Sequence, residues 1–202
     1  MLYNISMKEY IWLFVVIFIF HDMEEIVGMK LFFEKNKELL QKKASFLAKR
    51  YGSYTTAGFS LGVYEELVFF MLISGLAFWT DVHFFKFMWL GAFIGVAAHF
   101  VVHIVSCIAL RKYIPSLITS IICLPVSVYI ILKAFVLMCW FSPLTFGLTQ
   151  AVAAIALSLV LCILNFGVAH KLIAWFSNKS ADSCGGFHTP TLCIGGSFII
   201  ET

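Results

Sequence analysis

The chain has 202 residues, 61% of them hydrophobic and only 12% charged, with a net charge of +3 and a mean hydropathy of +0.96. A soluble domain carries about 25% charged residues, so this composition excludes one and points to a polytopic membrane bundle. The positive balance is small and confined to loops, which excludes a nucleic-acid partner and suits a cytosolic face against anionic lipid.

The first apolar run, about residues 10–29, has the twenty residues (about 30 Å) that span a hydrocarbon core. Lys8 and Glu9 precede it and no small-residue cleavage site follows, so it reads as a retained helix and not a signal peptide. Inside it stand His21, Asp22, Glu24 and Glu25. Charges at such depth cost at least about 2.5–3.5 kcal/mol each, and normally face a bundle interior. Residues 30–54 form a basic amphipathic loop, with a short interfacial helix expected over 34–51. A second run, 55–80, carries Glu65 and Glu66, and a third, 87–110, carries His99 and His103 before Arg111-Lys112. The fourth, 115–140, starts at Pro115 and contains Pro125, which predicts a kink. Trp140 to Pro143 reads as a tight outer turn, and a fifth run occupies 144–176. The fold class is therefore all-α: one bundle over 1–176 with about five transmembrane helices, and a flexible cytosolic tail over 177–202. Cys184, His188 and Cys193 in that tail lack a standard zinc spacing, and the six cysteines suggest no disulfide framework.

With the amino terminus outside and the carboxyl terminus cytosolic, eleven of the fourteen Lys and Arg fall on the inner side, all but Lys8, Lys86 and Lys133. The expected location is a bacterial cytoplasmic membrane, multi-pass. His21, Glu25, Glu65, His99 and His103 then lie roughly 7–18 Å from the cytosolic boundary, in one slab.

Helical phase adds to depth. At about 100° per residue, His21 and Glu25 share a face with Gly28, and Glu24 points about 60° to the other side. Gly58, Gly62, Glu65 and Phe69 share a face in the second run, with Glu66 at its edge. His99 and His103 align with Ala92, Gly95 and Ser106 in the third. Small residues let helices approach, so these ligand faces are expected to be packing faces that converge. Imidazole with carboxylate suits zinc, iron or manganese, as in di-metal carboxylate bundles, and a buried ionic network is the purely structural alternative. Asn165 and His170 are further candidates, as outer partners or additional ligands.

These residues resemble the HXXEE-domain family of membrane proteins. The resemblance rests on His21-Asp22-Met23-Glu24-Glu25 followed by Ile26-Val27-Gly28, on Ala98-His99-Phe100-Val101-Val102-His103, and on Arg111-Lys112-Tyr113-Ile114-Pro115-Ser116 with Leu124-Pro125. It covers roughly residues 10–135. Members usually carry Gly after the proline, so Ser116 departs from the pattern, in a place expected to concern the loop and not the ligands. The resemblance implies an integral membrane protein with a metal or acid/base centre and implies no particular reaction. The motif is also locally similar to the inverted zinc motif HxxEH.

The leading expectation is an intramembrane hydrolase of a lipid or lipid-linked small molecule entering from the inner leaflet, dependent on a divalent metal, zinc or iron, as one or two ions. His21, Glu25, His99 and His103 would be ligands, with Glu65 completing the site and Glu24 as general base for water. Glu66, Asn165 and His170 would support it. The alternatives are a di-iron lipid oxidoreductase, a metal-free acid/base isomerase and a divalent-metal carrier. The almost wholly apolar outer half disfavours the carrier.

Overall fold

The computed structural model describes residues 7–45, 55–80, 82–141 and 148–185. Six helices make up these residues: α1 (Met7–Lys35), α2 (Lys37–Lys43), α3 (Thr56–Trp79), α4 (His83–Leu110), α5 (Leu117–Phe141) and α6 (Leu148–Gly185). Among the described residues there is no strand. Four helical stretches are long and apolar enough to cross a membrane: Thr56–Trp79, His83–Leu110, Leu117–Met138 and Leu148–Lys179. The chain is thus a membrane protein by the length and composition of its helices. Many of the large side chains these helices turn outward are apolar, Ile108, Leu132 and Ile163 among them.

Helix α1 is set apart by its charges and yet packs in the same bundle, between α3 and α5. Its contacts with α4 are made by large side chains reaching across. Phe14 meets Phe93 at 4.9 Å between ring centroids, and the indole of Trp89 on α4 donates to the carbonyl of Ile11 at 3.2 Å. Trp89, Phe14, Phe93 and Ile11 are fully buried, which places the core between these two helices.

Several boundaries differ from the apolar runs, for a common reason: hydropathy marks the lipid-exposed part of a helix and not its ends. Helix α1 continues to Lys35 because Lys30 and Glu34, one turn apart at 3.9 Å, are compatible with helix. Helix α4 begins at His83, and Arg111, with φ 52°, ends it in the left-handed conformation. The last helix runs on through Gly185 instead of ending near residue 176. Ser177 is buried there, its hydroxyl accepting the Thr55 N–H at 2.9 Å, while Thr55 caps α3 through Gly58. The expected interfacial helix is represented by α2, whose Leu40 is buried with Phe32, Leu110 and Ile114. The turn expected after Trp140 and the donors His188 and Cys193 lie outside the described residues.

The α3–α6 contact is a consequence of glycine. A Cβ on Gly62 would stand 2.8 Å from the side chain of Ile173 and 3.3 Å from the carbonyl of Ala169, so glycine lets the two helices approach without displacing either.

Candidate metal centre

Two i, i+4 pairs, each on one face of its own helix, are brought together across the α1–α4 gap. His21 and Glu25 on α1 meet His99 and His103 on α4, and one ligand atom from each of the four lies within 4.8 Å of all the others. His103 Nε2 is 2.8 Å from Glu25 Oε1 and 2.8 Å from His99 Nε2. His21 Nε2 and His99 Nε2 each lie 3.9 Å from the same carboxylate oxygen. His21, Glu25 and His103 are buried and His99 is half-buried.

What orients two of the imidazoles comes from the segment joining α4 to α5 and from the first turn of α5. The carboxylate of Glu24 accepts from the hydroxyl of Tyr113 on one oxygen. On the other it accepts from the backbone N–H of Thr119 at 2.9 Å and from the Thr119 hydroxyl at 2.7 Å. With its one proton so committed, the Thr119 oxygen acts as acceptor toward His21 Nδ1, 3.2 Å away. That places the proton of neutral His21 on Nδ1 and leaves Nε2 bare, facing the cluster. His103 is held the same way. The Ser116 hydroxyl donates to the carbonyl of Pro115, so it accepts from His103 Nδ1 at 2.8 Å. Hydrogen bonding of the outer ring nitrogen is the usual device for fixing a ligating imidazole. The Tyr113 phenol, outside the helices, is pushed up to about 12, chiefly by its bond to Glu24, and so stays a donor.

The cluster is short of positive charge. Glu25 Oε1 and His21 Nε2 are buried without a hydrogen-bond partner, and a bare His103 Nε2 would set a second acceptor 2.8 Å from that oxygen. Acceptors this close need something between them, a proton carried by either group or a metal ion shared by all four. The donor set, three imidazoles and one carboxylate, fits zinc or iron. All four residues also line a cavity of ≈ 500 Å³ enclosed by α1, α3, α4 and α6, so one side of the cluster is open to a small molecule.

Other expected residues go elsewhere. Glu24 lies outside the cluster, with both oxygens occupied by Tyr113 and Thr119. Glu65 accepts from Asn165 of α6 at 3.2 Å and is not among the four clustered donors. It shares a face with Gly62, and that face is used for packing on α6. Glu66, at the edge of the same face, lines the cavity instead, as do Asn165 and His170. His170 Nδ1 donates to the carbonyl of Phe166 at 3.0 Å. Ser116, expected to concern only the loop, reaches the site through His103. Thr119 had no signal as a site residue beyond its place within an apolar helix, and Asp22 none beyond the cost of its charge at that depth. Gly28 had one: a Cβ there would lie 2.7 Å from Pro115, so α1 comes close to the segment carrying Ser116 only through glycine.

The clustered residues and their supports fall within the part of the chain, residues 12–130, that matches a family model described as a protein of unknown function with HXXEE motif. The chain belongs to the HXXEE family. Both acidic residues of the name have separate positions here: in this HXXEE protein Glu25 joins the imidazoles and Glu24 holds the segment that orients them. The match takes in α3 and α4 entire and stops within α5, so Asn165 and His170 of the cavity wall lie beyond it. No curated protein and no solved structure matches the chain.

Proposed function

We propose that the chain is an integral membrane metalloprotein that holds one divalent ion at His21, Glu25, His99 and His103 and hydrolyses a lipid or lipid-linked substrate entering from the inner leaflet. In this reading α1 is a fifth span, its amino-terminal end outside and the end of α6 in the cytosol. The observation that carries the reading is the convergence of four donor atoms within 4.8 Å at the wall of a cavity. A metal bound there supplies Lewis-acid polarisation of an ester or amide carbonyl and acidifies water. The protein's part is positional. Glu24 acts through Thr119 to present His21, and Ser116 presents His103, so Glu24 is a positioning residue and not the general base. The apolar cavity wall receives the substrate and excludes bulk water.

A single ion favours hydrolysis over di-iron oxidation. The second iron would need a second group of donors, and the described residues offer this one. The test is elemental analysis of protein purified without chelators, beside His99→Ala and Glu25→Ala variants that still fold. One equivalent of zinc, lost from both, is the expected result. Two equivalents of iron would move the reading to oxidation. Absence of any metal from the wild type would replace it with metal-free acid/base chemistry or a structural network.

A further inference from the structure

The cavity is long and narrow. Its lining on α1 runs from Phe18 to Phe33, a rise of about 22 Å, for a volume of ≈ 500 Å³. Apart from the four clustered donors, its ionisable lining residues are Asp22, Glu66, His170 and the thiol Cys162, with no Lys or Arg. An anionic headgroup would find no counter-charge of its own there.

Asp22 is buried, at 4% exposure, and its Oδ2 has no hydrogen-bond partner. Neither the cluster nor the chain of bonds from Tyr113 to His21 uses it. A carboxylate so placed is costly unless a cation or hydrogen-bond donor completes it. Glu66, on the neighbouring helix α3, lines the same cavity. One helical turn from each carboxylate on its own helix stands a phenylalanine of the same lining, Phe18 for Asp22 and Phe70 for Glu66. These two rings are in contact, with centroids 4.8 Å apart. Two carboxylates with paired aromatic rings beside them make a receptor for an organic ammonium, which is attracted both to the charges and to ring faces. A second metal ion is less well served, since Asp22 and Glu66 do not belong to any group of three or more donors that could hold one among the described residues.

We infer that Asp22 and Glu66 form a binding site for the amine of a cationic amphiphile, whose apolar chain occupies the length of the cavity. This names the substrate class of the reading above and rests on it only for the reaction that follows, because amine binding does not need the ion.

The experiment is binding of dodecylamine, dodecanol and dodecanoate to the full chain in phosphatidylcholine nanodiscs, with binding to empty discs subtracted, before and after metal removal by chelation. Dodecylamine should bind at least about tenfold more tightly than the other two, in both metal states. Asp22→Asn and Glu66→Gln should each weaken it about tenfold or more and leave dodecanol unchanged. Glu66 is only half-buried, so its near-isosteric variant keeps the test decisive if Asp22→Asn does not fold. Dodecanoate binding as tightly as dodecylamine would overturn the inference, as would unchanged amine affinity in the folded variants. So would a second equivalent of zinc in the wild type that either variant loses. Amine selectivity in a protein that proves never to hold metal would sink the hydrolase reading and leave this one standing.

Discussion

Helices α1 and α4 are joined by two layers about two turns apart, one of rings and one of ionisable groups. In the first, Phe14, Trp89 and Phe93 interlock, with Phe14 to Trp89 at 6.3 Å and Trp89 to Phe93 at 5.5 Å. In the second, His21 and Glu25 face His99 and His103 across the same gap. The ring layer has its one polar atom, the indole N–H, satisfied by Ile11. The ionisable layer leaves buried acceptors unsatisfied. Rings at such contact stabilise whatever the cavity holds, by dispersion and edge-to-face electrostatics. Buried charge does the reverse until a cation arrives. The first layer therefore holds the helices at the separation at which the second can bind something.

The sharpest way to break this contrast is Trp89→Ala, which opens a void in the ring layer. It should cost about 3–5 kcal/mol, read as a lowered midpoint of thermal unfolding in detergent. Loss of metal without loss of stability would contradict the division of labour. Gly28→Ala comes next, because its new Cβ would meet the Pro115 ring at 2.7 Å. Overpacking of this kind costs about 1–3 kcal/mol. It should also weaken metal binding, since Pro115 adjoins Ser116. Thr119→Val removes the hydroxyl's bonds to His21 Nδ1 and to Glu24 while keeping shape, and should weaken zinc binding about 10–100-fold in a competition titration, with a smaller drop in the unfolding midpoint than Trp89→Ala.

Two substitutions separate function from stability further. Ser116 has φ 81°, a left-handed conformation that glycine adopts without strain. Ser116→Gly should leave stability unchanged or raise it by up to about 1 kcal/mol, yet lower zinc affinity by releasing His103. The smallest expected effect on folding is that of Glu25→Gln, which removes the buried charge. The metal-free variant should unfold within about 1 kcal/mol of the metal-free wild type, or above it. A large loss of stability would mean that the ionisable layer is a structural network after all.

Much of the site was legible because it is local. The i, i+4 spacing of His21 with Glu25, and of His99 with His103, puts each pair on one face whatever the helix packs against. The 60° offset of Glu24 likewise separates it from that face. Glu65 shows where such reasoning stops. Its phase relative to Gly62 was visible, but the partner of that face was α6, because glycine marks close helix approach and says nothing of which helix approaches. Ser116 and Thr119 were not distinguishable from ordinary membrane polar residues until the segment between α4 and α5, with the first turn of α5, was seen folded against α1.

The sequence by itself determined an all-helical membrane protein and two ready-made donor pairs, since hydropathy and the 3.6-residue repeat are properties of single segments. Only the tertiary structure decided that these pairs meet, that Glu24 supports where Glu25 can bind, and that Asp22 and Glu66 share a cavity wall. Those outcomes depend on how side chains of different helices fill the space between them, a condition that no single helix carries.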